Sequence, residues 1–488
     1  MTPMRSELQS PTSDIQPGSS HRDVLDIILG FGSFTALVVV VPALILAEGN
    51  SGRSSAWLVT MLILAISGTR LAVLIASGQR RMFEFIFWVF CYVFFGLAPS
   101  VQLRSGDMPT TTQDLDPVLD LPTAVLALVG VLSFAIGFAI AARMRDPRER
   151  AHADSVNVTR LTILTVVSLA SAAYYVGKIG VGVLLSSRAE FAAVENEIWP
   201  DPATDALIAA VSAFPIVVAA HGWWSVARVS ERKQLPRLIA IVLTTISLAV
   251  TNPISSARYH FGVVWGSFLG PAGAYATRRR TSLTMVGIVL GLLFLFPIAD
   301  LFRRQDVVNA SRSSFLSEYA GNGDYDAFGQ LSNALLYTAT MPFEFARQFL
   351  GVVLFWVPRS LWADKPGGTG VVLAEFRGYR FTNLSAPIWA EMLLSFGLIG
   401  VVVASILFGI LLGRLDKRFL HGGMSGVNAI AGSVLPFYLL ILMRGSLLQA
   451  TGILIVLIGS MLFIADWSGG RGTTAGAKAP PNGRQSIS

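Results

Sequence analysis

Runs of apolar residues alternate with short polar links along most of the chain. Twelve such runs are legible, over 24–47, 56–77, 83–103, 121–142, 161–184, 204–226, 237–251, 259–276, 282–301, 386–413, 426–443 and 446–466. A helix of about 20 apolar residues crosses the hydrocarbon core of a bilayer. Only helices and closed barrels satisfy the backbone there. The pattern therefore predicts an all-α polytopic membrane protein with about 12 transmembrane helices, of which the seventh is the shortest. One polar link is unlike the rest. It covers 302–385, between two membrane regions over 21–301 and 386–466. The ends, 1–20 and 467–488, are rich in Ser, Pro, Gly and Ala and read as solvated, disordered tails.

The long link predicts its own helices, because structureless loops beyond about 15 residues are uncommon. Phe328, Leu331 and Leu335 recur at helical spacing behind Asp324 and Asp326, which suit a cap and first turn. A second run, 342–355, opens with a proline at an early helical position. It is apolar enough to lie in the interface or to dip into the bundle.

Charge then orients the bundle. Basic clusters follow the even-numbered runs: Arg80 and Arg81, Arg143 to Arg160, Arg228 to Arg237, Arg278 to Arg280, and Arg414 to Arg418. The short odd-numbered links hold single arginines. Two of them are acidic, with Asp107, Asp114, Asp116 and Asp120 in one and Glu190, Glu195, Glu197 and Asp201 in the other. The positive-inside rule places both termini in the cytoplasm and the 302–385 link outside, in a multi-pass protein of the cytoplasmic membrane.

Composition agrees with the pattern. The chain is 53% hydrophobic and 14% charged, with mean hydropathy +0.60, whereas a soluble protein carries about 25% charged residues. The net charge of +7 sits in short links where topology accounts for it, so no nucleic-acid partner is expected. Cys91 is the only cysteine and lies in an apolar run, which excludes an intramolecular disulfide. The first run is too long for a cleaved signal and reads as an anchor.

Arginines on the predicted outer side oppose the topology rule and need a reason. They are Arg258, Arg303, Arg304, Arg359, Arg377, Arg380 and Arg444, with Lys365 beside them. A guanidinium binds phosphate oxygens through a bidentate fork, so an anionic, lipid-borne substrate is one reading. Snorkelling, or pairing with Asp300, Asp306 or Glu375, is the other. Among the carboxylates, Glu391 lies near the outer end of a span, where an ionisable group is costly unless paired or facing a cavity. It reads as a general base or as a packing partner of Arg258 or Arg444. Asp324 and Asp326 read first as helix caps, with Asp326 kept as a catalytic candidate. His260 reads first as structural. Arg70 and Lys178 lie inside apolar runs and either pair there or contact substrate. Trp356, Trp362, Tyr379, Phe381 and Trp389 either stack on sugars or form an interfacial belt. H-E-x-x-H, the Walker A pattern and a Cys/His cluster are all missing, so no metal or cofactor is expected.

The stretch Phe355 to Gly400 carries a resemblance. Val357-Pro358-Arg359-Ser360-Leu361-Trp362 with Lys365-Pro366, then Thr382-Asn383-Leu384-Ser385, then Glu391 and Phe396-Gly397-Leu398-Ile399-Gly400 resembles the bacterial oligosaccharide repeat-unit polymerases (Wzy-type O-antigen polymerases). The resemblance covers about the last third of the chain by motif, and the rest by architecture only. It implies a GT-C-like bundle that transfers a glycan from undecaprenyl diphosphate to the non-reducing end of an incoming repeat, for O-antigen, capsule or exopolysaccharide. It implies membrane lipid, a flippase and a chain-length regulator as further partners. By motif it carries over Arg359, Lys365, Asn383 and Glu391. By position, Arg258, Arg303, Arg304 and Arg444 join as diphosphate contacts, and Arg377 and Arg380 complete the set of residues expected to bind the diphosphate or the glycan. The first outer link lacks the acidic pair of metal-dependent GT-C transferases, so the expected reaction is metal-independent. An O-antigen-ligase-like transferase would share this architecture, and a lipid flippase or transporter is the non-enzyme alternative.

Overall fold

The computed structural model describes residues 24–47, 52–145, 155–295, 316–382, 384–421 and 426–467. Within them the principal helices are α1 Asp26–Ala47, α2 Trp57–Ser77, α3 Met82–Ser105, α4 Pro117–Arg143, α5 Val158–Ile179, α6 Arg188–Ile198, α7 Thr204–Val229 and α8 Gln234–Val250. They continue as α9 Arg258–Ser267, α10 Arg278–Leu290, α11 Ala327–Thr340, α12 Arg347–Val353, α13 Thr369–Arg377, α14 Ile388–Leu420, α15 Gly426–Arg444 and α16 Leu447–Ile464. The described residues contain no β-strand, only an isolated bridge between Val156 and Ala465. Nine of the described helices are long and apolar enough to cross a membrane: α1 to α5, α7 and α14 to α16. α8 is apolar but shorter.

Side-chain caps start several of these helices. Asn157, Ser187, Asp201 and Thr277 each accept the backbone N–H three residues on, which satisfies a donor the helix leaves open. Small residues then bring helices close. A Cβ on Gly137 would stand 2.1 Å from Ile406 O, and one on Gly409 would stand 2.3 Å from Phe134 O. The α4 and α14 backbones therefore touch along parallel courses, a packing that membrane helices use where hydrophobic transfer gives little.

Links meet at two opposite ends of the bundle. At one end Arg53 pairs with Asp120 at 3.0 Å, and Arg377 Nη2 donates to Asp114 O. At the other, Lys417 donates to Met144 O at 2.8 Å, and Arg80 stacks 5.1 Å from the Tyr275 ring. Arg70, left open above, pairs there with Glu84 at 2.5 Å. Lys178 is exposed, 6.0 Å from the Tyr174 ring centre.

Three expectations change. The run 259–276 is helical only to Ser267 and continues as turns. Gly270, Pro271 and Gly273, the last at φ +81°, cannot sustain a helix. The segment still joins the two ends, because Arg258 lies with the first set of links while Arg228 reaches Gly270 O and Pro271 O. The helix expected from Pro342 begins instead at Arg347, behind Ala346 at φ +59°. The 302–385 link also packs into the bundle: residues 327–334 of α11 are buried on every side. Phe94 packs 5.9 Å from Tyr325, and Gln102 Nε2 donates to the carbonyls of Tyr319 and Tyr325, both at 3.0 Å.

The third change is in α14. Gly397, at φ +68° and ψ −166°, breaks it. Trp389 Nε1 then donates to Ser405 Oγ at 3.1 Å, although 16 residues separate them. In a straight helix that separation spans about 24 Å. The arm 388–396 therefore folds back on the long arm 398–420, and the expected single span over 386–413 is a helical hairpin. Phe87, Phe134, Ile388, Met392 and Phe408 line the crevice between the arms.

Candidate functional site

The hairpin sets a short arm against the junction of α15 and α16, at the end of the bundle where Arg258 lies. Ala386 N donates to Arg444 O at 2.8 Å, which ties the start of the short arm to the end of α15. Arg444 reaches inward from there. Its Nε donates to Asp324 O at 3.1 Å, and its Nη2 lies 3.4 Å from Asp326 Oδ1 and 3.6 Å from Asp324 Oδ1. Its guanidinium also lies over the Tyr259 ring, 4.7 Å from the centroid. Arg258 Nη1 pairs with Asp324 Oδ2 from the start of α9. Two arginines and two aspartates from three distant parts of the chain thus share one site.

Asp324 and Asp326 do not act as caps. Asp324 N is itself capped by Asn322 Oδ1 at 2.9 Å. Asp326 stands at the N-cap position of α11 without a side-chain bond to that helix. Its Oδ2 instead accepts from Ser385 N at 3.2 Å. Asp326 is 1% exposed, and burial raises its carboxyl above the ordinary aspartate range, against the lowering effect of Arg444 and Ser385. A buried carboxylate in this state accepts a proton more readily than an exposed one.

Glu391 is also buried, but it is not paired with Arg258 or Arg444 as the plainer reading expected. Thr369 Oγ1 donates to Glu391 Oε2 at 2.7 Å, and Leu447 N donates to Oε1 at 2.8 Å. Leu447 opens α16, so the carboxylate serves that helix's N-terminus, where negative charge is favoured. Thr369 N in turn donates to Ser446 Oγ at 3.0 Å. Glu391 is a joint between α13, α14 and α16.

The other expected residues scatter over the link. Arg359 is exposed and donates to Lys365 O at 2.9 Å. Lys365 Nζ donates to Phe355 O and Val357 O at 2.6 and 2.9 Å, closing the Pro-Arg loop on itself. Partial desolvation, and then Arg359, lower its ammonium pKa. Arg377 is committed to Asp114 O and to Tyr379, whose hydroxyl donates to Gln113 O at 2.9 Å. Arg380 is exposed. Arg303, Arg304 and Asn383 lie outside the described residues. His260 packs edge-on to Phe214, 5.5 Å between ring centres, in keeping with a structural role.

The site also holds residues that sequence reasoning passed over. Arg188, at the start of α6, feels Arg258: desolvation first, and then that repulsion, lower its guanidinium pKa. Gln330 lies one turn beyond Asp326 in α11. Among the described residues, both of its side-chain heteroatoms, Ser332 Oγ, Asn333 Oδ1 and Ser385 Oγ are buried without a hydrogen-bond partner, a costly state that native proteins keep rare. The available signal was a polar set, Gln330, Ser332 and Asn333, interleaved with Phe328, Leu331 and Leu335. No protein-family model, curated protein or solved structure matches the chain.

Proposed function

We propose that the protein polymerises lipid-diphosphate-linked oligosaccharide repeats at the outer face of the cytoplasmic membrane. Both termini are then cytoplasmic, and the Arg258–Arg444 end faces outward. The observation that carries this reading is the convergence of Arg258 and Arg444, from two distant elements, on the Asp324–Asp326 segment. Phosphate oxygens would replace Asp324 on the two arginines, since guanidinium takes either anion through the same fork. Arg188 adds positive charge beside Arg258. Twelve crossings in a GT-C-like arrangement belong to the same proposal, with α8, α9 and α10 completing the set.

The step follows from these placements. A hydroxyl of the incoming repeat attacks the anomeric carbon of the lipid-linked glycan. Its proton passes to Asp326, whose buried carboxylate is the base. The bond from the anomeric carbon to the diphosphate oxygen breaks. Undecaprenyl diphosphate departs with the electron pair, its growing charge met by Arg258 and Arg444. Glu391 positions the Pro366–Thr369 segment. No redox partner, nucleotide or metal enters the balance.

The test is the purified chain in nanodiscs with a lipid-diphosphate-linked repeat from its own host and EDTA. A ladder of products supports the polymerase. A single transfer onto a foreign acceptor replaces it with a ligase-like transferase. Substrate bound without any product replaces it with a flippase or transporter.

A further inference from the structure

The lipid-facing stripe of α14 continues beyond the helix. Ile399, Val403, Leu407 and Leu411 recur every fourth residue and are exposed, so along a membrane-crossing arm they face acyl chains. At the Gly397 end, Phe396 meets two rings from the 302–385 link, Phe345 at 5.5 Å and Phe349 at 5.4 Å between centroids. Phe343 joins Phe345 at 6.5 Å. Ala346 N donates to Ser395 O at 2.7 Å and fixes the attachment. The attachment hides little of the apolar surface: Phe345 is 72% exposed, Val353 51% and Ile399 79%. Contiguous apolar surface of this kind marks an interaction site.

We propose that residues 341–353 form a monotopic element seated in the leaflet that surrounds the Gly397 end of α14, with Phe343, Phe345, Phe349 and Val353 among the acyl chains. The patch adjoins the stripe that lipid covers, so one medium covers both. Its charges are already paired with each other and with the Asp364 region. Arg347 bonds Glu344 Oε1 at 2.6 Å and Asp364 O at 2.9 Å, and Asp364 is exposed. An apolar face with a charged opposite side is the pattern of an interfacial anchor. The seat also has a structural consequence. A Cβ on Gly351 would stand 2.6 Å from Pro366 Cγ, so α12 and Pro366 pack backbone to ring. Three residues on, Thr369 holds Glu391. Lipid contact at 341–353 thereby sets the height of the 366–369 segment. This inference does not depend on which reaction the protein performs.

The experiment uses the full chain carrying Cys91→Ala in nanodiscs of phosphatidylethanolamine and phosphatidylglycerol. Single nitroxides are placed through Phe345→Cys, Val353→Cys, Ile399→Cys and Asp364→Cys. Collision with oxygen, which concentrates in lipid, is compared with collision with a water-soluble nickel chelate. Labels at 345 and 353 should favour oxygen over the chelate as the label at 399 does, and the label at 364 should favour the chelate, as expected for an apolar face at the headgroup–acyl boundary with a charged opposite side. Labels at 345 and 353 that behave like 364 overturn the proposal. So does shielding from both reagents, which would mean that protein covers the patch. Phe345→Trp gives a second readout: quenching of its added emission by brominated acyl chains is expected, and its absence also overturns the proposal.

Discussion

Arg444 Nη2 lies 3.4 Å from Asp326 Oδ1 across 118 residues of chain. Asp326 is buried and Arg444 is nearly so, at 15% side-chain exposure. Removing one partner strands the other charge in a low-dielectric site. Arg444→Ala should therefore destabilise the protein by about 3–5 kcal/mol. Asp326→Asn in the same chain should recover part of that loss, because the stranded charge is gone. Thermal unfolding of the two single variants and the double variant in nanodiscs measures the coupling. Strictly additive losses would show that the pair does not interact in the bilayer.

The same pair governs pH dependence. Burial raises the folded Asp326 pKa above the ordinary aspartate value of 3.8, while Arg444 opposes the shift. A raised acid pKa means that the folded state binds the proton more tightly than the unfolded state. Asp326 thus costs no stability below 3.8. Its contribution falls as pH rises toward the folded pKa and is constant above it. Activity runs the other way. A base must be deprotonated, so polymerisation should rise with pH through the folded pKa. Arg444→Gln removes the charge that holds that pKa down, and should move the acid limb of the rate profile to higher pH. An unmoved limb in the residual activity would remove Asp326 as the titrating group.

Glu391 should behave as a positioning residue. Its oxygens accept hydrogen bonds from Thr369 and from Leu447 N, and the Ser446 hydroxyl supports the same carboxylate. Glu391→Gln keeps one acceptor oxygen and the shape. Glu391→Ala leaves the Thr369 hydroxyl and a helix N–H without their partner, at about 1–3 kcal/mol for each buried group. Polymer yield should survive Glu391→Gln at a reduced level and collapse in Glu391→Ala together with the melting temperature. Full loss of polymer in a normally stable Glu391→Gln protein would instead make Glu391 the base.

Much of this arrangement was legible from hydropathy, and the remainder had no local signal. Nine apolar runs coincide with helices long enough to cross a membrane, because burial in lipid is a property of consecutive residues. Arg258 and Arg444 could be singled out, since charge at the end of a span is unusual. Their choice of Asp324 and Asp326 over Glu391 could not be read, because contacts across more than 60 residues leave no periodic trace. Capping preference pointed Asp326 at its own helix, and a tertiary contact with Ser385 N overrode it. Gly270, Pro271 and Gly273 were visible breakers inside the 259–276 run and outweigh its apolar character. The burial of α11 was hinted at only by its uncapped polar set, Gln330 to Asn333.

The hairpin at Gly397 was the least legible feature, and it supplies the last prediction. Hydropathy is continuous across 386–413, so only the backbone angle distinguishes a straight span from a reversal. At φ +68° and ψ −166° Gly397 occupies a region that is essentially restricted to glycine. A Cβ there would meet nothing within 4 Å, so alanine is penalised through the backbone alone, by about 1–3 kcal/mol. Gly452 is the matched control. It lies inside α16, a Cβ there would also meet nothing within 4 Å, and its φ is ordinary. Alanine at that position should be neutral or stabilising by up to about 1 kcal/mol, through helix propensity. Gly130→Ala separates the steric route, because its Cβ would stand 2.4 Å from Trp389 Nε1 and force the short arm off α4. Unfolding temperatures in nanodiscs should therefore place Gly452→Ala at or above the parent, with Gly397→Ala and Gly130→Ala both below it. If Gly397→Ala matched Gly452→Ala, the reversal would not be the conformation held in the membrane, and the junction that sets Glu391 against α16 would fall with it.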